Sequence, residues 1–366
     1  MLTVAILFGG KSGEFEVSRC SAASIYKSIN KDKYNILVIG IDKDGKWYPQ
    51  KNPKIINDET FGEILELQKS GNWYVNHYDD NSKLVLFNKS GNEEIRADVV
   101  FPVVHGTNCE DGRLQGLLEL ASVPYVGADV LGSAIGMDKD VAKRLLKHAD
   151  IPVVPWMTIE KHNWKKNKDY YLHDICLEME FPFFVKPANA GSSVGIHKIS
   201  KYEDIRNNID DCFNYDTKIL IEKGISCKEI ECSVFGNYEI ECSIPGEIIP
   251  NHEFYSYEAK YEDENGANVK IPADITSEMK NQVEKLAIKT YKTLCLQGLA
   301  RVDFFVDKET DEIYVNEVNT LPGFTSISMY PKLWEKTGYS YNTLIDKLIE
   351  LAVERFSVRK ILKTEK

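Results

Sequence analysis

The chain has 366 residues, 43% of them hydrophobic and 28% charged, with a formal net charge of -11. That length holds two or three domains, each able to bury a core, and no run approaches the ~18 consecutive apolar residues of a membrane span. The acidic balance argues against nucleic acid or anionic membranes as partners, so any anionic ligand must be held by local cations.

The opening MLTVAILFGG is too short for a signal peptide and lacks a basic leader, so it reads as a buried first strand. TVAILFGG (3–10) and YNILVIGI (34–41) read as strands around a stretch of helical length, a βαβ unit. Residues 43–97, polar and aromatic with short runs such as KLVLF, read as an elaboration of this first domain. DVVFPVVHG (98–106) is a further strand ending in a loop, and RLQGLLELA (113–121) a helix. A second part opens around GMDKDVAKRLLKHA (136–149) and reaches the strand FPFFVKP (181–187). A third begins near ILIEK (219–223). It holds a helix with Val283, Leu286, Ala287, Thr290 and Leu294 at i, i+3, i+4 spacing, and a last one using Leu344, Ile345, Leu348, Leu351 and Ala352. The basic tail RKILKTEK reads as a solvated helix end. Eight scattered cysteines without CxxC pairs suit reduced thiols in a cytoplasm. His148, His162, His173 and His252 lack paired-ligand spacing and read as surface or structural residues.

The clearest chemical signal is NEVNTLPG (316–323). On a strand Glu317 and Asn319 share one face while Val318 points to the other, so two oxygen donors stand side by side before a Pro-Gly stop. Such a pair suits a hard cation such as magnesium but needs a third ligand. GLARVDFFV (298–306), the turn-like DKETDE and IYVNEVN form a hairpin pattern. A turn centred near Thr310 sets Asp303 opposite Glu317 and Arg301 opposite Asn319, with opposed residues ~5 Å apart. An ordinary exposed sheet face has the same pattern. Phe304, Phe305 and Val318 argue for a largely buried hairpin, where three oxygen ligands and an arginine are costly unless metal and phosphate compensate them.

VKPANAGSSVG (185–195) puts Lys186 at a strand end before a Gly-rich loop whose small residues let amide N–H groups approach phosphate oxygens. A plain turn fits the same residues. IEKGISCKE (221–229) places Glu222, Lys223 and Ile225 on a connection able to present backbone edges to adenine, with Glu229 able to accept from ribose hydroxyls; it also fits a charged linker.

With FGGKSGEFEVS (8–18), HGTNCEDGRLQG (105–116), MDK (137–139), YEAKY (257–261), RVDFFV (301–306) and NEVNTLPGFTSISMYP (316–331), these segments resemble the ATP-grasp fold. More specifically, they resemble the D-alanine–D-alanine ligase family over essentially the whole chain. The resemblance implies an α/β chain with a three-part ATP-grasp fold. Its parts are an N-terminal Rossmann-like (pre-ATP-grasp) domain at 1–126, a central ATP-grasp subdomain at 127–224, and a C-terminal one at 225–366 carrying the metal and substrate site.

The resemblance also implies roles. Lys139, Lys186 and Lys260 bind ATP phosphates, covered by Ser193. Glu222, Lys223 and Ile225 line the adenine pocket, with Glu229 on the ribose. Asp303, Glu317 and Asn319 hold two magnesium ions, Glu317 bridging, and manganese is able to substitute. Glu14 meets the ammonium of the first D-alanine and, with Ser192 and Tyr261, ties a mobile loop over the site. His105 sits near that substrate's carboxylate, while Ser328 and the Met329 backbone receive the carboxylate of the second. Arg301 and the Gly323 amide form an oxyanion hole. The implied reaction is cytoplasmic, ATP-dependent joining of two D-alanine molecules through a D-alanyl phosphate, for peptidoglycan precursor synthesis. YEAKYEDENGANVKIPA (257–273) serves as a lid, and a homodimer rests on the resemblance alone.

Two positions depart from the family pattern: Phe15 stands where His or Arg is frequent, and Cys109 where Gly is usual. The first is expected to alter packing around Glu14. The second changes the loop after His105, either as a passive buried thiol or as a reactive one. The nearest rival reading takes D-serine or D-lactate as second substrate; against it, Tyr261 resembles ligases that use an amine nucleophile, and Met329 after Ser328 resembles the alanine enzymes rather than the serine ones. A non-catalytic ATP-binding regulator is the rival from another class, and it would not need the substrate and oxyanion groups.

Overall fold

The structure is a computed structural model that describes residues 1–76, 81–89, 93–250, 267–325 and 327–363. Its N-terminal part is built on β1 (Leu2–Gly9), which the helix α1 (Phe15–Ser28) connects to the parallel neighbour β2 (Tyr34–Ile41), the expected βαβ unit. The short β3 (Trp47–Pro49) joins β2 antiparallel. The elaboration at 43–97 contains the hairpin β4 (Ile55–Asp58) and β5 (Gly62–Leu65), then the small sheet β6 (Trp73–Asn76), β7 (Leu84–Asn88) and β8 (Glu93–Ala97). β9 (Val99–Pro102) lies parallel to β1 on its other side, so β1 is central and its residues Val4 to Phe8 are fully buried. A strand covered on both faces needs a continuous apolar run, which VAILF supplies.

Three helices follow: α2 (Arg113–Leu120), α3 (Val130–Met137) and α4 (Lys139–His148). Asp138 ends one and caps the next, accepting from the Val141 amide at 3.1 Å. The central sheet contains β10 (Trp156–Glu160), with α5 (Lys161–Lys166) and α6 (Lys168–Glu178) leading to β11 (Phe183–Pro187). It is completed by β12 (His197–Ile199), α7 (Tyr202–Cys212) and β13 (Lys218–Lys223), in the antiparallel order β10-β13-β11-β12. The ILIEK segment, expected to begin the third part, therefore belongs to this sheet, because β10 and β11 pair it on both sides.

The chain crosses to the C-terminal sheet at 224–226. β14 (Cys227–Gly236), β15 (Ile240–Cys242), β16 (Gly246–Pro250) and β17 (Ala267–Lys270) precede α8 (Ser277–Thr293). The hairpin β18 (Gly298–Asp307) and β19 (Ile313–Asn319) follows, then α9 (Met329–Thr337) and α10 (Tyr341–Lys360).

Packing crosses the three parts. Ala128, Ala142, Leu146 and Ile151 share a core with Ile230, Val302 and Val315, so the start of the central part is packed on the C-terminal sheet. The apolar stripe of α10, Leu344, Ile345, Leu348 and Ala352, returns to cover Val4, Ile6 and Phe101 of the first sheet. The basic tail is not merely solvated either: Arg359 pairs with Asp129 and, at 3.0 Å, with Glu119. Among the described residues no helix is long and apolar enough to cross a membrane.

Candidate active site

The acidic face of the C-terminal sheet comes from three strands. β14 buries Ile230, Cys232 and Val234 on one side and places Glu229, Glu231 and Ser233 on the other. Across from these stand Phe305, Asp303 and Arg301 of β18, and next to them Glu317 and Asn319 of β19. Near its turn the hairpin pairs Val306 with Ile313 and Phe304 with Val315. Continued regularly, that register would oppose Glu317 to Val302 and point the carboxylate into the core. A bulge at Asn316 inserts one residue, so that Asp303 faces Glu317 and Arg301 faces Asn319. The expected pairing is thus present, but through an irregularity absent from the turn arithmetic.

Arg301 donates from Nε and Nη2 to the two oxygens of Asp303, 2.7 Å each, and its Nε lies 3.0 Å from Glu231 Oε2. This fork leaves Nη1 without a protein acceptor among the described residues. Asn319 Nδ2 donates to Asp303 Oδ2 at 2.9 Å, so its Oδ1 is not used in that bond. No three His, Cys, Asp or Glu side chains form a metal cluster among the described residues. Two carboxylates and one amide oxygen are an incomplete hard-oxygen set, which fits magnesium completed by water and phosphate oxygens better than a closed protein cage. Glu231 went unnoticed in the sequence, although the alternation in EIE (229–231) was a signal for its place on this face.

Cations approach from α4 and β11. Lys139, in the first turn of α4, lies 3.2 Å from Glu317 Oε2 and donates to the Ala190 carbonyl at 2.7 Å, tying the Gly-rich loop to the acidic face. Lys186 donates to Glu222, whose other oxygen lies 2.6 Å from the buried Lys143. Burial pushes the Glu222 carboxyl up, but the Lys143 and Lys186 charges outweigh it and hold it below its ordinary value. Lys143 was also missed; its spacing of four from Lys139 was the available signal. Lys223 is exposed and Ile225 half-buried on the 223–226 connection, where the Lys223 amide donates to Pro155 O at 3.0 Å. Glu229 is half-buried on the acidic face.

The Gly-rich loop carries Ser192 and Ser193 in the left-handed region, at φ +50° and +60°, a costly pair for non-glycine residues. The Ser192 hydroxyl donates to Glu14 and anchors the loop to the first domain. Glu14 also lies against Gly106, where a Cβ would stand 2.5 Å from Glu14 Oε2 and displace it; the left-handed φ of +79° at this position favours glycine.

His105 is buried, with Nδ1 2.9 Å from Leu321 O and Nε2 3.2 Å from Ser21 Oγ, so both ring nitrogens are engaged within the protein. Burial lowers its pKa, but Glu110, 3.5 Å away, together with Glu14 outweighs this and raises it above 6.5. The Gly323 amide has no protein acceptor among the described residues, and a Cβ there would stand 2.8 Å from Ser328 Oγ. Ser328 directly precedes α9, whose first amides begin at Met329 and point at any carboxylate seated there. The Met329 side chain turns away into an apolar cluster with Ile248, Ile271 and Leu333. Phe15 packs on Gly9, with the Lys43 ammonium 5.0 Å from its ring. Cys109 is buried, and burial drives its thiol far above the ordinary range, the passive alternative. Lys260, Tyr261 and 257–266 of the expected lid lie outside the described residues.

A Rossmann-like domain, an antiparallel sheet with a Gly-rich loop and lysines, and a second sheet with carboxylates, an amide and an arginine on one face define an enzyme of the ATP-grasp ligase class. Residues 3–128 match the family model described as D-ala D-ala ligase N-terminus, and residues 145–350 the one described as D-ala D-ala ligase C-terminus. The chain belongs to the D-alanine–D-alanine ligase family. It is 50% identical to a D-alanine–D-alanine ligase of Caldicellulosiruptor bescii, covering 100% of this chain and 99% of the relative, and 47% identical to one of Shouchella clausii, covering 99% and 97%. Among solved structures it resembles the D-alanine-D-alanine ligase from Coxiella burnetii, with TM-score 0.80, 35% identity, and 98% and 96% of the chains covered. It also resembles the VanG D-Ala:D-Ser ligase from Enterococcus faecalis, with TM-score 0.81, 35% identity, and 96% and 99% covered.

Proposed function

We propose that this chain joins two molecules of D-alanine with ATP, by way of a D-alanyl phosphate, as a cytoplasmic step of cell-wall precursor synthesis. The observation that carries the reading is the convergence of Asp303, Glu317 and Asn319 with Arg301 beside them and Lys139 reaching across from the phosphate loop. Magnesium held by those three side chains would neutralise phosphate charge and align the triphosphate. Lys139 and Lys186 bind phosphate oxygens, and the loop at Ser192–Ser193 covers them, with Lys260 as a third cation. The connection through Glu222, Lys223 and Ile225 receives adenine and Glu229 the ribose.

Glu14 pairs with the ammonium of the first D-alanine, and Ser192 keeps that carboxylate oriented. His105, whose nitrogens are both spent on protein partners, acts by holding the loop beneath this substrate. The first carboxylate takes the γ-phosphoryl group and releases ADP. The second D-alanine, its carboxylate at Ser328 and the Met329 amide, then attacks the acyl carbon with its amine, and phosphate leaves. Arg301 Nη1 and the Gly323 amide, neither with a protein acceptor among the described residues, are the donors for the oxyanion of that step. Tyr261 and the lid close the site against water. The reading includes a homodimer, checked by sedimentation.

Phosphate release measured with D-alanine alone, then with D-alanine plus D-serine or D-lactate, tests the assignment. We expect turnover with D-alanine alone and no preference for a mixed product; a clear mixed preference would replace the second substrate, and no release in any mixture would end the reading.

A further inference from the structure

Lys143, Lys186 and Glu222 form a buried cluster that contains one more positive than negative charge. Glu222, on β13, lies diagonally across from Lys186 of β11, which pairs with Leu220. Its carboxylate is 2% exposed and has a lysine on each oxygen. Lys143 is 1% exposed, donates to the Val154 carbonyl at 3.3 Å and sits 5.6 Å from the Trp156 ring centroid. It comes from α4, one turn beyond Lys139, so a single helix aims one lysine at the acidic face and the next at Glu222. Lys186 has Glu222 as its ion-pair partner and lies at the start of the Gly-rich loop. Of the two lysines, Lys186 is the less buried, at 6% against 1%, and adjoins the Gly-rich loop, whereas Lys143 is held by the Val154 carbonyl as well as by Glu222.

A buried carboxylate cannot be abandoned cheaply, and removing the last partner of such a group is strongly destabilising. We propose that Lys143 is a positioning residue for the nucleotide site: it keeps Glu222 compensated when Lys186 leaves that carboxylate for a phosphate oxygen of the bound nucleotide. This rests on the reading of Lys186 as a phosphate ligand. Lys143 touches no substrate; it sets how readily Lys186 is released. Without it, Lys186 is the sole ion-pair partner of Glu222 among the described residues, and each nucleotide must compete with a buried ion pair.

Calorimetric titration of the full chain with magnesium and ADP separates these roles. Lys143→Met is expected to weaken ADP binding about tenfold or more, because binding then strands Glu222, while the KM for D-alanine stays within about twofold. Lys143→Met combined with Glu222→Gln leaves Lys186 no carboxylate to abandon, so ADP is expected to bind about threefold or more tighter to the double variant than to Lys143→Met alone, whatever Glu222 itself contributes beside adenine. Unaltered ADP affinity in a folded Lys143→Met, or a double variant no tighter than the single one, overturns the proposal. Should Lys143→Met not fold, Glu222→Gln with and without Lys143 gives the same decision. Equal affinities support the proposal, and a further tenfold loss on removing Lys143 overturns it. An unaltered chain that binds no nucleotide would sink the functional reading itself, which is a different result from normal binding that Lys143 does not influence.

Discussion

Replacing Asp303 by Asn keeps the size of the side chain and removes one of the two carboxylates of the Asp303, Glu317 and Asn319 set. Asp303 accepts two bonds from Arg301 at 2.7 Å and one from Asn319 at 2.9 Å. An amide retains one acceptor oxygen, so Arg301 loses half of its fork, a bond worth about 1.5–3 kcal/mol. Glu231, 3.0 Å from the same Nε, is placed to take it over, which limits the expected net loss of stability to about 1–2 kcal/mol. A bound cation loses more. A unit negative charge ~4 Å from a divalent ion near a protein surface contributes about 8 kcal/mol, and the Arg301 fork on the same carboxylate together with water taking the vacated position offsets most of it, so the expected loss is ~2 kcal/mol or more, about a 30-fold or larger rise in half-saturating magnesium. ADP release followed against magnesium chloride at saturating ATP and D-alanine measures this shift, and thermal denaturation without nucleotide measures the stability. Half-saturation within twofold of the unaltered enzyme, in a folded variant, would refute Asp303 as a metal ligand. A melting point lower by much more than about 5 °C would show that Glu231 does not take over the arginine.

Arg301→Ala should lower turnover about 100- to 1,000-fold, the loss typical of an oxyanion donor, while ADP still binds; an equally active variant contradicts the assignment. His105 has a raised pKa, so its contribution to stability is fully present below about pH 6.5, its unfolded value, and is lost as pH rises through the folded value. Urea denaturation should accordingly show the gap between the unaltered chain and His105→Gln narrowing from pH 6 to pH 9, and a constant gap would count against the His105–Glu110 pair. Trp334 is fully buried, stacks on Phe235 at 4.1 Å and has no acceptor for its Nε1 among the described residues. Trp334→Ala is expected to cost about 3–5 kcal/mol by urea denaturation. Trp334→Phe, which keeps an aromatic stack and discards the unpaired N–H, should cost less than about half of that.

The readable part of this protein is what short spacings specify. The alternation of Glu317, Val318 and Asn319 assigns two oxygens to one face whatever the rest of the chain does, because strand geometry repeats every second residue. The same holds for the apolar run of β1 and the stripe of α10, whose spacing identifies buried faces without naming what buries them. The Gly-rich loop was legible as small residues after a lysine, but its left-handed Ser192 and Ser193, and the Glu14 carboxylate that receives the Ser192 hydroxyl, belong to contacts 178 residues apart.

What the sequence by itself determined is which residue types stand on each face and in what order: the two carboxylates and amide of one hairpin, the lysines, the loop. Only the tertiary structure decided who neutralises whom. The Asn316 bulge that turns Glu317 outward, the Glu231 carboxylate behind Arg301, the Lys143 beneath Glu222 and the return of α10 to the first sheet all depend on partners from other strands or helices. Local backbone geometry repeats every two or 3.6 residues and is written in the chain, whereas a buried charge takes whichever counter-charge the packed elements bring within a few ångströms.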